Sequence, residues 1–219
     1  MSPTVFPPTP TPLVPVVSRA EMFPVGRIFC VGRNYAAHAA EMGNTVDRSA
    51  PFYFTKSPAS VVLSGLEIPF PSMTSDLHHE MELAVYYGED GIFGYGCSLD
   101  LTRRDLQAKA KEKAKPWSVA KDFENSAVLG AITEAGDVGS IGAQSIQLHV
   151  NGEIRQDASL AEMIHDVPAI LSDLSQYYQL QAGDVILTGT PAGVGPLFRG
   201  DHAVGRIEGL EPVEIRIQS

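Results

Sequence analysis

The sequence predicts a β-rich α+β fold, with rolled mixed sheets at its centre and helices packed outside them. Three observations point there. Short runs rich in branched and aromatic residues recur along the 219 residues, separated by Pro, Gly and Ser. Stretches with helical periodicity are few and far apart. No internal repeat appears, and the elements lack the regular β-α-β order of a doubly wound nucleotide-binding sheet.

Six prolines fall in the first fifteen residues, at positions 3, 7, 8, 10, 12 and 15. They fix φ and remove backbone donors, so residues 1–15 are expected to form a flexible tail. This tail lacks the basic start and continuous apolar run of a secretory signal. Residues 16–219 are enough for a single domain with a substantial core. Residues 27–31 (RIFCV) read as a buried strand that Gly32 breaks, and residues 35–42, rich in Ala, Glu and Met, as a short helix. Residues 52–55, 61–63 and 80–87 are further strands. Residues 103–113 form the one long helix in the first two thirds of the chain, with Thr102 and Asp105 as a variant capping box. Residues 145–157 alternate Ile146, Leu148 and Val150 before Asn151-Gly152, the pair suited to a type I′ hairpin turn. Residues 168–180 place Ile170, Leu171, Leu174, Tyr177 and Tyr178 on one helical face, and residues 184–187 and 213–217 close the chain as strands.

A formal net charge of −10 disfavours nucleic acid, whose phosphates require a basic surface; a cation site suits this chain better. No apolar run approaches the roughly 20 residues of a membrane span. Cys30 and Cys97 sit in apolar stretches and read as reduced core thiols, which points to an intracellular, cytoplasmic protein. The Gly-rich segment 189–195 matches neither dinucleotide nor phosphate-loop spacing.

The segment Leu77-His-His-Glu-Met-Glu-Leu puts Glu80 and Glu82 two residues apart, hence on one face of a strand. Two close carboxylates repel unless a cation joins them, and an all-oxygen set suits magnesium, manganese or calcium. A solvated strand face is the commoner reading of an isolated E-x-E, which alone proves nothing. His78 and His79 point to opposite faces and cannot both reach one metal from regular strand geometry, so structural roles suit them. Asp100, before the predicted cap, is a turn aspartate or a third ligand. His38 and Glu41, three apart, share a helical face; they form either an imidazole oriented by a carboxylate or an ordinary surface pair. Lys121 and Lys56 follow apolar runs and either pair with a buried anion or snorkel to solvent.

Taken together, CVGRNY (30–35), His38-x-x-Glu41-Met42, HHExE (78–82), LDLT (99–102), Pro116-Trp117 through Lys121, VNG (150–152) and ILTGTP (186–191) resemble the fumarylacetoacetate hydrolase superfamily, in its acylpyruvase and fumarylpyruvate hydrolase branch. The resemblance runs from about residue 24 to the end. It implies a mixed rolled β-sandwich with peripheral helices. It implies that Glu80, Glu82 and Asp100 bind Mg2+ or Mn2+, with Ca2+ an alternative occupant, and that His38 and Glu41 form a water-activating dyad. Lys121 would stabilise an enolate, and Arg33, Gln107 and Thr190 would contact the substrate's carboxylate or oxo groups. Two departures stand out: Ala37 where the family commonly has an acid, and Ser57 after Lys56 where it commonly has proline.

The resemblance further implies a homodimer acting on a small oxo acid in aromatic-compound catabolism. The expected reaction is hydrolysis of a carbon–carbon bond in an acylpyruvate, with fumarylpyruvate the leading substrate, giving fumarate and pyruvate. Oxaloacetate decarboxylation or tautomerisation uses the same machinery and is the alternative; a non-catalytic binding protein of the same fold is the remaining one.

Overall fold

The structure, a computed structural model, describes residues 3–41 and 48–219. Among the described residues an eight-stranded sheet forms the centre. Its order is Phe52–Lys56, Ile28–Gly32, Val185–Leu187, Met81–Gly88, Gly91–Asp100, Ala127–Leu129 and Val61–Leu63, with Thr133–Glu134 added beside Gly91–Asp100. Ile28–Gly32 runs parallel to Val185–Leu187, and Ala127–Leu129 parallel to Val61–Leu63, while Met81–Gly88 and Gly91–Asp100 are antiparallel. A second sheet of five strands, Glu153–Ser159, Ser145–Val150, His202–Ile207, Val213–Ile217 and Glu67–Ile68, packs across one face of the first.

Strand alternation explains this layering. Met81, Leu83, Val85, Cys97 and Leu99 point into the core between the sheets and meet Ile146, Leu148, Val213 and Ile215. The intervening Ala84 and Tyr86 point the other way and join Cys30, Leu129, Val14, Val16 and Phe23 in a second cluster. The sheets approach closely where they cross: a Cβ on Gly205 would lie 2.2 Å from Met81 Sδ, so any larger residue would displace the buried Met81 side chain. Both cysteines are buried and unbridged, as expected for core thiols.

The predicted elements are found with shifted edges. The hairpin joins Ser145–Val150 to Glu153–Ser159 through Asn151 (φ 53°) and Gly152 (φ 84°), the left-handed pair of a type I′ turn. The late helix covers Val167–Tyr177, because Asp166 accepts a hydrogen bond from the Ala169 amide at 2.9 Å and fixes its start. The helix expected at 35–42 is seen as Ala36–Glu41, and Met42 lies outside the described residues.

Two expectations are corrected. The irregular start ends before residue 15: Leu13–Pro15 pairs with Met22–Pro24, and Val14 is wholly buried. Prolines lack a donor but keep a carbonyl, and here Pro12 and Pro15 accept from the Val25 and Ile132 amides, each at 2.9 Å. Thr102 is not a helix cap. It lies in the short strand Thr102–Arg103, paired with Leu77–His79, and its hydroxyl donates to the Asp100 carbonyl at 3.3 Å. The helix then covers Arg104–Glu112, and Asp105 accepts instead from Thr74 Oγ1 at 2.6 Å and the Leu106 amide at 2.9 Å. Among the described residues no helix is long and apolar enough to cross a membrane.

Candidate active site

Glu80 sits at the joint between Leu77–His79 and Met81–Gly88, and Glu82 two residues on, so both carboxylates leave the central sheet on the face opposite Met81. Asp100 ends the neighbouring strand, and its amide donates to the Glu80 carbonyl at 2.9 Å. One ligand oxygen from each of the three acids lies within 4.8 Å of the others, all three buried. The expected triad is therefore assembled.

Cations surround it. Lys121 Nζ donates to Glu80 Oε2 at 2.6 Å and to Asp100 Oδ2 at 2.8 Å. Lys56 Nζ lies 2.8 Å from Asp100 Oδ1, with both side chains wholly buried, so it is paired rather than snorkelling. It also donates to Ser126 Oγ at 2.9 Å and to the Lys121 carbonyl. Arg104 donates to Glu80 Oε1, and to Gln107 Oε1 at 2.6 Å. Its Nε donates to His78 Nδ1 at 3.3 Å while His78 Nε2 meets Asp76 at 2.9 Å, which fixes one neutral tautomer of His78.

The electrostatic consequences differ from acid to acid. Burial opposes charge on Glu80, but Lys121 and Arg104 outweigh it and hold that carboxyl well below its usual range. Glu82 has the opposite fate: burial, then Asp100 and Glu80, push it well above, against the charge of Lys121 and a hydrogen bond from the Gly189 amide at 2.7 Å. Lys121 is buried too, yet Asp100 and Glu80 raise it above the ordinary ammonium range.

These residues fit a divalent metal. The donors are all hard oxygen, Asp100 Oδ1 is buried with only the Lys56 ammonium against it, and Glu82 spends only Oε2 on the backbone. Such a set suits Mg2+ or Mn2+, whose charge would relieve the repulsion that holds Glu82 up.

His38 and Glu41 lie across the cavity, with His38 Nδ1 3.3 Å from Glu41 Oε2. Burial is the main force on the imidazole and lowers its pKa, against Glu80 and the Glu41 hydrogen bond. Glu41 is fastened in turn by the Gly193 amide at 3.1 Å. Gly193 has φ 92°, and a Cβ there would lie 2.1 Å from the Arg155 carbonyl oxygen, so only glycine can present this amide. The Gly-rich segment thus holds two site acids, Glu82 through Gly189 and Glu41 through Gly193.

The three expected contact residues also line the cavity, as does His38. Gln107 is buried and its carbonyl is taken by Arg104, which leaves its NH2 group for the cavity. Thr190 Oγ1 accepts from Gln156 Nε2 at 2.8 Å, which frees its own hydrogen to donate inward. Arg33 is exposed at the rim with φ 60°.

The sequence pattern of the fumarylacetoacetate (FAA) hydrolase C-terminal family matches residues 27–218. The chain belongs to this family. It is 43% identical over 189 residues to a fumarylpyruvate hydrolase from a Ralstonia species, covering 80% of this chain and 98% of that one. It is 41% identical over 199 residues to the oxaloacetate tautomerase YcgM of Escherichia coli, covering 85% and 90%. The crystal structure of a fumarylpyruvate hydrolase from Pseudomonas aeruginosa in complex with Mn2+ and pyruvate superposes with a TM-score of 0.95 at 38% identity, covering 99% of each chain.

Within this family fold, sequence reasoning missed Arg104 and Gln156. Arg104 gives no more signal than any charged residue of a surface helix. Gln156 is 1% exposed in a hairpin strand; its Oε1 accepts from the Met81 amide at 3.0 Å and from His79 Nδ1 at 3.2 Å while Nε2 holds Thr190 and the Pro191 carbonyl. At the unusual Ser57, Asp122 Oδ1 accepts from both the amide (2.9 Å) and the hydroxyl (2.8 Å), which holds the loop after Lys56.

Proposed function

We propose that this chain is a metal-dependent hydrolase cleaving the carbon–carbon bond of a small acylpyruvate, fumarylpyruvate foremost, to a carboxylic acid and pyruvate, within a single catalytic domain. One observation carries the reading: a buried three-carboxylate centre, with Glu80 and Asp100 bridged by Lys121, shares a cavity with a histidine whose pKa burial lowers. A divalent cation held by Glu80, Glu82 and Asp100 would supply Lewis-acid charge against the 2-oxo acid end of the substrate.

The remaining chemistry falls to side chains. With Nδ1 turned to Glu41, His38 Nε2 is the nitrogen left to take a proton from water. The resulting hydroxide attacks the distal carbonyl, and the bond to the pyruvate methylene breaks with its electron pair passing into the enolate. Lys121 bears on that developing negative charge, and the proton on His38 returns to the enolate carbon to complete pyruvate. Gln107 and Thr190, each with its acceptor already taken, offer donors that complement a carboxylate. Lys56, Lys121 and Arg104 offset the charge of the three acids when Glu82 is ionised, so a bound divalent cation leaves excess positive charge for an anionic substrate.

A second reading, oxaloacetate tautomerisation, is supported by the 41% identity to YcgM. It needs the same enolate stabilisation but no water attack. The homodimer, the cytoplasmic setting and the place in aromatic-compound breakdown that the family resemblance implies belong with the hydrolase reading.

The test follows the ultraviolet absorbance of enolised fumarylpyruvate with Mg2+ or with EDTA, with products separated by chromatography and oxaloacetate run in parallel. Metal-dependent release of fumarate and pyruvate supports hydrolysis. Turnover confined to enol and keto oxaloacetate would move the chain to the tautomerases.

A further inference from the structure

We propose that Lys111, together with Arg33, forms a second anion subsite that selects acylpyruvates bearing a carboxylate at the far end of the acyl chain. The inference rests on the hydrolase reading above and names the substrate class of that same site. It begins from space. The inner cavity at the triad has a volume of about 30 Å³, room for little more than water or an ion. An acylpyruvate whose 2-oxo end reaches this space must keep its acyl chain in the adjoining cleft of about 790 Å³. Lys111, Arg33 and Trp117 border both spaces, so the chain passes between them.

Charge is the second observation. Deeper in, each cation has its carboxylate: Lys56 faces Asp100, Lys121 bridges Glu80 and Asp100, and Arg104 meets Glu80. At the mouth this matching stops. Among the described residues Lys111 has no carboxylate or hydrogen-bond partner, and its ammonium stands 5.0 Å from the centre of the Trp117 ring. Arg33 likewise pairs with none of the described carboxylates, and its left-handed backbone (φ 60°) is a conformation that costs a non-glycine residue free energy. Burial, followed by repulsion from Arg104 and Arg33, pushes the Lys111 ammonium down to about 8. An arriving anion relieves that repulsion, so the half-buried Lys111 binds it better than a solvated surface lysine would.

Shape supplies the third observation. Trp117 packs edge-on to Phe52 at 5.1 Å and tilted to Phe54 at 5.9 Å, giving the cleft an aromatic lining. An apolar conjugated chain with a terminal carboxylate, such as a fumaryl group, packs against these rings and delivers its charge to Lys111. An acetyl chain ends before it.

The experiment measures kcat and KM of the Mg2+-loaded enzyme on fumarylpyruvate and on acetylpyruvate. It compares wild type, Lys111→Met, which keeps the apolar stem, Lys111→Arg, which keeps the charge, and Lys109→Met, which removes an exposed charge from the same helix. The expected result is that the ratio of kcat/KM for fumarylpyruvate over acetylpyruvate falls about tenfold or more in Lys111→Met, chiefly through KM. Lys111→Arg and Lys109→Met keep the ratio. An unchanged ratio in Lys111→Met, an equal fall in Lys109→Met, or a wild type without preference for fumarylpyruvate overturns the subsite while leaving the hydrolase standing. A wild type that cleaves neither acid removes the hydrolase reading, and the subsite with it.

Discussion

Lys56 and Asp100 meet at 2.8 Å with neither side chain exposed at all, on neighbouring parts of the fold that the sequence holds forty-four positions apart. Such a pair is costly to break, because the remaining charge loses both water and partner. Lys56→Met is therefore expected to lower unfolding free energy by about 3–5 kcal/mol in urea with EDTA present. Added Mg2+ should recover part of the loss, since a cation on Asp100 replaces the missing charge. A variant as stable as wild type in EDTA would show that the pair contributes nothing net.

Glu82 carries the opposite imbalance. Burial and the carboxylates of Asp100 and Glu80 raise its pKa, so its charge opposes folding when no metal is bound. A folded-state pKa above the unfolded one means that the stabilising contribution is present below the unfolded value, near 4.5, and is lost as pH rises towards the raised folded value. Glu82→Gln keeps an acceptor for the Gly189 amide and removes the charge. At pH 7 the metal-free variant should melt above metal-free wild type, while Mg2+ or Mn2+ affinity, read by titration calorimetry, falls by at least about a hundredfold. A lower melting temperature together with unchanged metal affinity would reject the site.

How far these residues were legible depends on the distance over which each is placed. The E-x-E pair follows from a period of two along one strand, and Asn151-Gly152 from the backbone needs of a two-residue turn. Gln156 was hidden by a bulge. In unbroken register from Val150 opposite Glu153, Arg155 would face Leu148; the shift between Leu148 and His149 puts Gln156 there instead and turns its amide inward. Arg104 was hidden by contacts made across 24 and 26 residues to Glu80 and His78, and no local pattern announces them. Thr102 misled because its hydroxyl suits a cap, while sheet pairing with His78 claimed its backbone. The capping signal is local, and the ladder that displaced it is not.

His79 gives a stability test independent of catalysis. It is 1% exposed, and burial lowers its pKa to about 4 despite the hydrogen bond with Gln156. A depressed histidine favours its neutral form in the fold, so its contribution is complete above the unfolded value of 6.5 and is lost as pH falls towards about 4. The loss amounts to at most about 3 kcal/mol. Urea denaturation at pH 7 and pH 4.5 should show a smaller pH difference in His79→Phe, which cannot be protonated, than in wild type. Equal differences would assign the acid sensitivity elsewhere.

His38 should set the acid side of the activity profile. Burial lowers its pKa below the usual 6.5, while the charge of Glu80 and the Glu41 hydrogen bond work in the other direction. A metal on Glu80 cancels part of that upward pull, so loading the site shifts the imidazole further down. The neutral, proton-accepting form therefore persists below pH 6.5, and kcat/KM should fall only as pH drops beneath that value. His38→Ala should lower kcat by about 10²–10⁴-fold and abolish this limb while leaving Mg2+ affinity within about threefold. Glu41→Gln keeps an acceptor for the Gly193 amide and loses the charge facing Nδ1, so it should move the limb still lower and reduce kcat by less than His38→Ala does. If the limb instead sits above pH 6.5 and survives in His38→Ala, the group that takes the proton from water is not this imidazole.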